Sequence, residues 1–342
     1  MTIWTSAARA MGGLLTAALL FAGLAQWDHA FAAPGCVKPP ASSLVVDVRR
    51  TGAKGDGRTD DTAALQAAFD KVGGTGGTVL VPDGTYMVDA VSNERRLKIR
   101  KDTTLKLSPG AVIKAIPNGA LNYSLLTISN VANVTVSGGT LEGDRAQHTD
   151  KAGEWGMGLM IGEGAKNVTV SGVTSKEMWG DGFYVATAQN VTFCSVVSDH
   201  NRRQGLSVIE VDQLEVVSSV FSNTQGTRPG AGIDFEPDNV QQRISNVRVH
   251  NSKFLNNKGP GILVAGKKGV SLISKLEITE NLFVGAVPLK IEYSPEVLQS
   301  QICRNRQMVR QAVDAGLSTY QEPKEVLVIQ QECGDSGLQV RR

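Results

Sequence analysis

A short repeat of β-strand patterns in the middle of the chain constrains the fold more than any other feature. Five segments place alternating apolar residues after a glycine, in steps of 24, 23, 27 and 29 residues: Gly158, Gly182, Gly205, Gly232 and Gly261. A related set of strand patterns, mostly "NVTV"-like, begins at Asn133, Asn167, Asn190 and Asn246. Short strands at nearly constant spacing, with no helix between them, predict a solenoid in which each strand stacks on its counterpart in the next coil. The Asn-Val-Thr triplets are therefore interpreted as strand starts rather than glycosylation sites.

A solenoid needs a cap at each end, because an open end exposes its core and its strand edges. The segment "GRTDDTAALQAAFDKVGG" predicts an amphipathic helix, capped by oxygens of residues 59–61, with one apolar face: Leu65, Ala68, Phe69 and Val72. A strand, a turn and a second strand follow in "GTVLVPDGTYMV". Near the C-terminus, "CRNRQMVRQAVDAG" predicts a helix and "KEVLVIQQE" a strand, which together form a second cap.

The N-terminal segment has the pattern of a secretory signal. An apolar run from Met11 to Ala25 precedes Ala30-Phe31-Ala32, which has the small-x-small form of a cleavage site. We therefore expect a signal peptide over residues 1–32, a β-helix over 33–295 and a C-terminal cap over 296–342. Export implies a periplasmic or extracellular location.

Export also permits disulfide bonds. None of the four cysteines has the spacing of a zinc site, and we expect Cys303 and Cys333 to pair as a C-terminal staple. Cys194 lies in a strand pattern and is interpreted as a small buried apolar residue.

The charge balance points to no special partner class. The formal net charge is +2, which gives no support for nucleic acid or a membrane surface as partner, and no later segment is long and apolar enough to cross a bilayer. We expect a monomer or a small homo-oligomer that binds neither nucleic acid nor a membrane.

Residues 51–88, "TGAKGDGRTDDTAALQAAFDKVGGTGGTVLVPDGTYMV", carry a family resemblance. They resemble the opening segment of pectin-lyase-like right-handed parallel β-helix proteins, within the group of pectate-lyase-type, rhamnogalacturonase-type and uronate-epimerase domains. With the repeats, the resemblance covers about residues 44–295. It implies an all-β, single-stranded right-handed parallel β-helix with an N-terminal capping helix and a C-terminal helix and strand cap. Lyases, hydrolases, epimerases and binding proteins share this segment, so it implies the fold and not the reaction.

The motifs of the polygalacturonase branch are mostly missing. That branch carries Asn-Thr-Asp, Asp-Asp, Gly-His-Gly and Arg-Ile-Lys in chain order. Here Gly180-Asp181-Gly182 resembles only the end of the first motif, and Ser198-Asp199-His200 contains no Asp pair. Gly205-Leu206-Ser207 stands in place of Gly-His-Gly, and Pro288-Leu289-Lys290-Ile291 differs from Arg-Ile-Lys.

Alternation along the glycine-aligned strands predicts which side chains point outward. Residues one and three after each glycine are apolar and point inward, so residues two and four after it point outward. In "AGIDFEPD" the outward pair is Asp234 and Glu236, the only outward carboxylate pair among the five aligned coils. The alignment stacks Asp234 near Ser207 and Tyr184, with Lys290 about two coils away. A charged strand face that protects a sheet edge is the alternative interpretation.

Polar turns enter these strands at the level of the carboxylates, next to Asp181. Arginine grips carboxylates through paired hydrogen bonds, and aromatic rings stack on sugars. We therefore expect an acidic polysaccharide as substrate. The predicted binding residues are Trp179, Tyr184, Gln204, Arg228 and Lys290.

Two chemistries fit this pattern. In β-elimination, Arg203 or Arg202 neutralises a uronate carboxylate or acts as base, while oxygens of Asp234, Glu236 and Asp238 hold a cation such as Ca²⁺. In hydrolysis, Asp181 pairs with Asp234 or Glu236 across the bond, at a separation of roughly 10 Å that suits inversion. We expect a polysaccharide lyase first, with an inverting glycoside hydrolase, a C5-epimerase or a non-catalytic binding β-helix as alternatives.

Overall fold

The computed structural model describes residues 36, 42–91, 97–266, 272–285, 287–292, 300–308 and 326–329. Its described strands form two long sheets that wind as a right-handed parallel β-helix, as predicted. The first sheet contains β1 (Val45–Asp47), β3 (Thr78–Val81), β5 (Leu97–Lys98), β6 (Thr103–Leu107), β8 (Asn122–Ser129), β9 (Ala132–Ser137), β11 (Trp155–Ser171), β13 (Phe183–Cys194), β15 (Leu206–Val217), β17 (Ile233–Phe235), β18 (Ile244–His250), β20 (Ile262–Ala265), β21 (Ile273–Thr279), β23 (Leu289–Glu292) and β24 (Gln301–Cys303).

The second sheet runs along another side of the coil. It contains β2 (Asp56–Asp60), β4 (Gly84–Val88), β7 (Ala111–Ala115), β10 (Thr140–Glu142), β12 (Thr174–Lys176), β14 (Val197–Asp199), β16 (Val220–Ser222), β19 (Lys253–Leu255), β22 (Leu282–Val284), β25 (Asn305–Met308) and β26 (Val326–Ile329). The described strands pair in parallel, except that β25 and β26 pair in antiparallel fashion.

The interior of the coil is an apolar stack. The residue after each aligned glycine pairs in register with its counterpart in the next coil, and each of the first five is fully buried: Leu159, Phe183, Leu206, Ile233, Ile262 and Leu289. Burying such side chains contributes about 2 kcal/mol each relative to exposure. This repeated inward set fixes which residues of the same strands must point outward.

The aligned glycines are required by close contact between coils. A Cβ atom at Gly205 would lie 2.4 Å from the carbonyl oxygen of Gly232, and one at Gly158 would lie 2.2 Å from Ser175 Oγ. Ser198 Oγ donates to the Gly205 carbonyl at 2.9 Å. The turns that enter the outward-facing strands are therefore tight, which holds their polar residues in place.

Asparagines turn the corner between successive strand directions. Asn133, Asn167 and Asn190 all have positive φ, which asparagine tolerates better than most residues. Asn167 Nδ2 donates to Asn133 Oδ1 and Asn190 Nδ2 to Asn167 Oδ1, each at 2.9 Å, and Asn133 Nδ2 donates to Asp102 Oδ1 at 2.8 Å. We call these four residues the corner ladder. Its asparagines have a structural role, but only Asn133 lies at a strand start, since Asn167 and Asn190 lie inside β11 and β13.

The N-terminal cap has the predicted form. Helix α1 (Thr62–Val72) buries Leu65, Ala68, Phe69 and Val72 completely. The side chain of Asp61, at the helix start, does not cap the helix; it accepts from Lys54 N and Gly55 N at 2.6 and 2.9 Å. Among the described residues, none lies in a helix long and apolar enough to span a membrane.

The C-terminal cap differs from its prediction. The predicted strand is present as β26, but the helix predicted from Cys303 is wrong where the chain is described, because Asn305–Met308 is the strand β25. Asn305 continues a buried amide ladder, since its Nδ2 donates to Ile278 O and its Oδ1 accepts from Asn281 N. Pairing with β22 overrides local helix propensity here. The coil thus extends beyond residue 295; residues 309–325 and 330–342 lie outside the described part.

The disulfide assignment also changes. Cys194 bonds to Cys36, with 5.6 Å between their Cα atoms, so its interpretation as an unpaired apolar residue is wrong. Cys194 ends β13, where the segment preceding β1 reaches it. Cys303 is disulfide-bonded, whereas its predicted partner Cys333 lies outside the described residues, so that pairing stays a prediction. The predicted signal peptide, residues 1–32, lies outside them too.

Candidate active site

The outward column has the predicted register. Parallel pairing places Tyr184 beside Ser207, Ser207 beside Asp234, and Leu263 between Asp234 and Lys290. Lys290 therefore stands two coils from Asp234, as the alignment predicts, and it forms an ion pair with Glu292 on its own strand. Within this column Ser207 and Asp234 are neighbours, with Tyr184 on one side and Leu263 on the other.

Asp181 lies in the turn that leads into β13, and it is fully buried. Its Oδ2 accepts from Ser207 Oγ at 2.9 Å and from Arg203 Nη1 at 3.2 Å. Its Oδ1 is buried without a hydrogen-bond partner. Burial raises the pKa of Asp181 to about 6, although Arg203 and Ser207 stabilise the charged form. This carboxyl is ionised at neutral pH and keeps one free acceptor.

Asp234 is almost completely buried, with 1% of its surface exposed. Gln204 Nε2 donates to its Oδ2 at 2.6 Å, and Gln204 Oε1 accepts from Ala231 N at 2.9 Å. The other oxygen, Oδ1, has no hydrogen-bond partner. Gln204 is itself fully buried, so it holds Asp234 in position and is not exposed at the surface.

The pKa of Asp234 depends on its neighbour Glu236. Burial, followed by the charge of Glu236, raises the pKa of Asp234 to about 8, and Arg203 opposes the shift. A neighbouring carboxylate makes ionisation of Asp234 harder. Glu236 is half-buried, whereas Asp234 lies beneath the surface. Asp234 therefore keeps a proton at neutral pH and lies next to a more exposed carboxyl.

Arg203 is the cation at the centre of this cluster. Its Nη1 contacts Asp181 Oδ2 and, at 3.3 Å, Ser207 Oγ, while its Nε is buried without a hydrogen-bond partner. Glu154 Oε2 lies 3.9 Å from that Nε. Burial lowers the pKa of Arg203, but the carboxylates, Asp181 first, outweigh it and leave the pKa above its ordinary value. Its contact with Asp181 favours the role of a fixed cation, and its predicted role as base stays a prediction.

Arg202 and Trp179 form a separate packed group. The Arg202 guanidinium lies 3.9 Å from the centre of the Trp179 ring and donates to Gly153 O at 3.0 Å. His148 stacks on the same ring at 4.1 Å, and Trp179 is only 9% exposed. A ring with His148 and Arg202 against it has no face for a sugar, so its predicted stacking role is wrong. Arg202 packs on that ring instead of joining the carboxylates.

A buried network supports that group, and the sequence did not indicate it. Asp144 Oδ1 accepts from Tyr123 Oη at 2.5 Å, and Asp144 Oδ2 lies 2.9 Å from His148 Nδ1. Burial and the Asp144 charge raise the pKa of Tyr123 well above its ordinary range. Tyr123 lies 21 residues before Asp144, so local sequence spacing gives no signal for their contact. Together with His148 they hold the Trp179 ring, against which Arg202 packs, in place.

Comparison with models of known protein families identifies the family of this chain. A model of the family "rhamnogalacturonase A/epimerase, pectate lyase-like" matches residues 45–254. The chain belongs to this family. Those residues span the opening strands and the whole column from Asp181 to Glu236.

Members of the pectate lyase-like group and their structural neighbours act on polysaccharides by more than one reaction. YclG, an uncharacterised Bacillus subtilis protein, is 27% identical over 287 residues, which are 72% of this chain and 49% of YclG. The Azotobacter vinelandii mannuronan C5-epimerase AlgE6 is 36% identical over 151 residues, 40% of this chain and 17% of AlgE6. The chain thus spans about half the length of YclG and a smaller share of AlgE6.

Solved structures show the same fold. The AlgE6 A-module superposes with a TM-score of 0.62 at 24% identity, covering 76% of this chain and 70% of the module. A Yersinia enterocolitica family 28 exopolygalacturonase superposes with a TM-score of 0.60 at 17% identity, covering 83% and 63%. At these identities the likeness establishes the fold. The relatives include epimerases and glycoside hydrolases, which indicates a carbohydrate-active class of protein.

The remaining predicted site residues fall in different places. Tyr184 is half-buried in the column, and burial together with Asp238 and Asp181 raises its pKa to about 12. Arg228 is exposed in the turn before β17. Asp238 lies in an exposed turn, where its N donates to Gln242 Oε1. Ser207, absent from the predicted site, proves to be its central bridge; its place in the outward column was the available signal.

The predicted calcium ligands do not converge. Within the described residues no group of three or more His, Cys, Asp or Glu side chains is arranged to hold a metal ion, although Asp234, Glu236 and Asp238 are all described. Asp234 points into a buried contact with Gln204, while Asp238 is exposed. These residues do not fit the predicted Ca²⁺ site, and no catalytic step is assigned to a cation there.

Proposed function

We propose that this protein hydrolyses glycosidic bonds of an acidic polysaccharide, with the Asp234–Glu236 pair as general acid and Asp181 as general base. The observation that carries the proposal is the separation of their proton affinities. The pKa of Asp234 is raised to about 8 and that of Asp181 to about 6. Neighbouring carboxyls with pKa values pushed apart mark acid and base roles in glycosidases.

The general acid is the pair rather than one residue. Glu236, half-buried, delivers the proton to the leaving glycosidic oxygen as its bond to the anomeric carbon breaks. Asp234 supplies the second half of the shared proton site, and Gln204 fixes its position through a hydrogen bond of 2.6 Å. After cleavage the pair carries one more negative charge, which Arg203 stabilises.

The general base is Asp181, through its free Oδ1. It removes a proton from water as the water oxygen bonds to the anomeric carbon. Asp181 and Asp234 lie two coils apart, roughly 10 Å along the stack, and Asp181 leans across the intervening coil to reach Ser207. The separation therefore falls toward the roughly 6.5–9.5 Å of inverting glycosidases, which leaves room for the water.

Epimerisation at C5 is the second candidate, and one observation favours it. The similarity to the mannuronan C5-epimerase AlgE6 is 36% over 151 residues, which include part of this chain's repeat. Epimerisation and β-elimination both begin by removing the C5 proton, for which Asp181 rather than Arg203 would serve. Neither reaction needs a proton held by the Asp234–Glu236 pair before the first step, so we rank hydrolysis ahead of them.

Product analysis separates the candidates. The full-length protein is incubated with polygalacturonate, polymannuronate and other uronate polymers. Hydrolysis predicts new reducing ends without the ultraviolet absorbance of an unsaturated uronate. That absorbance would instead identify a lyase, and a changed epimer ratio without new ends an epimerase.

Two variants anchor the assay. Asp234→Asn is expected to abolish product formation, whereas Asp70→Asn, which removes an exposed carboxylate paired with Arg100, is expected to retain it. If no polymer yields any product, the enzyme proposal fails and a binding role replaces it.

A further inference from the structure

A cluster of cations lies beside the carboxylate site but does not belong to it. A cavity of about 410 Å³ is lined by Arg145, Lys258 and residues 225–230, which include Arg228. We call this cavity the basic cleft. None of its lining residues is acidic, although acids and bases alternate over much of the surface.

The three cations are not neutralised by the protein. Neither Arg145, Arg228 nor Lys258 forms an ion pair with any described residue, whereas Lys114 and Lys176 share Glu142 on the same molecule. Arg228 and Lys258 are exposed. An ordinary surface cation also needs no partner, so exposure alone does not define a site. What distinguishes this cleft is that three cations face one concavity without an acid.

One cation of the basic cleft is held rigidly. Arg145 Nη2 donates to Gln225 O at 2.7 Å and its Nη1 donates to His200 O, so the guanidinium bridges two turns of different coils. Arg145 also contributes to lowering the pKa of Arg202, after burial, which places a fourth positive charge nearby. A fixed guanidinium loses less freedom when it binds an anion than a mobile one does.

The wall of the cleft is continuous with the carboxylate site. Thr227 N donates to Arg202 O at 2.8 Å, so the turn of residues 225–230 lies beside the turn that carries Arg203. The chain then passes through Ala231, which contacts Gln204, to Asp234. Gly230 lies four positions before Asp234, a span of at most about 14 Å. A single oligosaccharide can therefore contact both places.

We propose that the basic cleft is a subsite for an anionic substituent, a carboxylate or a sulfate, on a polysaccharide bound across Asp234 and Glu236. The inference rests on the proposed function and specifies its substrate class. The carboxylate cluster itself repels anions, because Asp181, Asp234, Glu236 and Glu154 outnumber Arg203. A charged polymer thus needs its anionic groups held away from the acids, and the cleft supplies that charge.

The test measures binding without turnover. Asp234→Asn protein is titrated with oligosaccharides of polygalacturonate, which carry carboxylates, and of iota-carrageenan, which carry sulfates. The carboxyl-reduced and desulfated forms of the same chains are the uncharged probes. The same titrations are repeated after adding Arg228→Gln and Lys258→Gln together, which leaves the bridging Arg145 intact.

A matched control keeps the charge change constant. Arg58→Gln with Lys106→Gln also removes two exposed cations, from β2 and β6. The cleft variant is expected to bind one charged probe about tenfold more weakly than the parent, with the uncharged probes unchanged. The control pair is expected to leave every affinity unchanged. The probe that responds identifies the substituent as carboxylate or sulfate.

Three results would overturn the inference: equal affinity of parent and cleft variant for both charged probes, an equal loss for the uncharged probes, or no binding of any charged probe. Each is distinguishable from failure of the proposed function. Cleavage of an uncharged polymer, unaffected by the cleft variant, would sink the subsite and leave hydrolysis standing. If the unmutated protein releases no new reducing ends but the cleft still binds charged probes selectively, hydrolysis fails and the subsite stands.

Discussion

Two polar stacks lie on neighbouring coils of this β-helix, and they differ in how completely their polar groups are hydrogen-bonded. In the corner ladder, each asparagine donates to the residue one coil before it at 2.8–2.9 Å. In the outward column, Asp181 Oδ1, Asp234 Oδ1 and Arg203 Nε are buried without a hydrogen-bond partner. Buried polar atoms that lack partners are costly, and native proteins retain few of them. Both stacks are built by pairing from coil to coil, but the corner ladder is a structural element whereas the outward column is a reactive one.

The chemistry of the side chains explains the difference. An amide carries both donors and an acceptor, so a row of amides satisfies itself without limit. Carboxylates only accept when ionised, and a row of them must take up protons or cations. The column does both: Asp234 keeps a proton, and Arg203 neutralises Asp181.

The largest expected effect comes from Asp234→Asn. The amide preserves the shape and the contact with Gln204 but removes the proton that the pair delivers. We expect kcat/KM to fall by about 10³-fold, within the range for loss of a general acid. Asp70→Asn is the control, and a fall of less than tenfold in the Asp234 variant would contradict the assigned role.

Asp234→Asn also tests how Asp234 affects the pH dependence of stability. Because the folded pKa of Asp234, about 8, lies above its ordinary value of 3.8, this carboxyl's contribution to stability is complete below about pH 4. It is lost as pH rises through about 8. Wild-type melting temperature should therefore fall between pH 5 and 9 more steeply than that of Asp234→Asn. Parallel pH curves for the two proteins would show that Asp234 is not protonated when folded.

A smaller effect is expected from Gln204→Leu, which removes the hydrogen bonds to Asp234 and Ala231 at nearly constant volume. Because Gln204 positions the acid without touching substrate, kcat should fall about 10- to 100-fold with KM little changed. Gln66→Leu, on α1, is the matched control. A rise in KM alone would instead mean that Gln204 contacts substrate.

Arg203→Gln is expected to change the pH dependence of the reaction. Arg203 opposes the raised pKa of Asp181, so its loss should move the acidic limb of kcat/KM, expected near pH 6 in the wild type, to higher pH. Arg58→Gln should leave that limb in place. An unchanged acidic limb in Arg203→Gln would show that Asp181 is not the base.

The smallest catalytic effect should come from the corner ladder. Asn167→Ala removes two amide hydrogen bonds and puts alanine, which tolerates the left-handed region less well than asparagine, at φ 54°, so it should destabilise the protein by about 1–3 kcal/mol. Asn167→Gly loses the same bonds without the backbone strain and should be less destabilised. Thermal melting measures both, and kcat/KM should match the wild type. A loss of activity in folded Asn167→Gly would contradict the claim that the corner ladder is structural and the outward column reactive.

The sequence predicted the parts of this structure that repeat. Alternation after each glycine placed Ile233 and Phe235 inside and Asp234 outside, and the register confirms all three. Such positions follow from period-two geometry and need no knowledge of the rest of the chain. The predicted order of the column, from Tyr184 through Ser207 to Asp234, was correct for the same reason.

Side-chain direction within the turns could not be predicted in this way. Arg202 and Arg203 are adjacent in sequence, yet one packs on Trp179 and the other on Asp181, a choice made by contacts with distant coils. The β25 strand and the Cys36–Cys194 bond were missed because each depends on a partner far along the chain. Local pattern carries no information about such partners.

The central claim is that Asp234 holds a proton at neutral pH while Asp181 does not, and a carboxyl titration tests it without any substrate. Protein labelled with ¹³C at aspartate side chains is titrated by NMR, with Asp234→Asn and Asp181→Asn used to assign the two resonances. The account predicts midpoints near 8 for Asp234 and near 6 for Asp181. Midpoints below 5 for both carboxyls would contradict it.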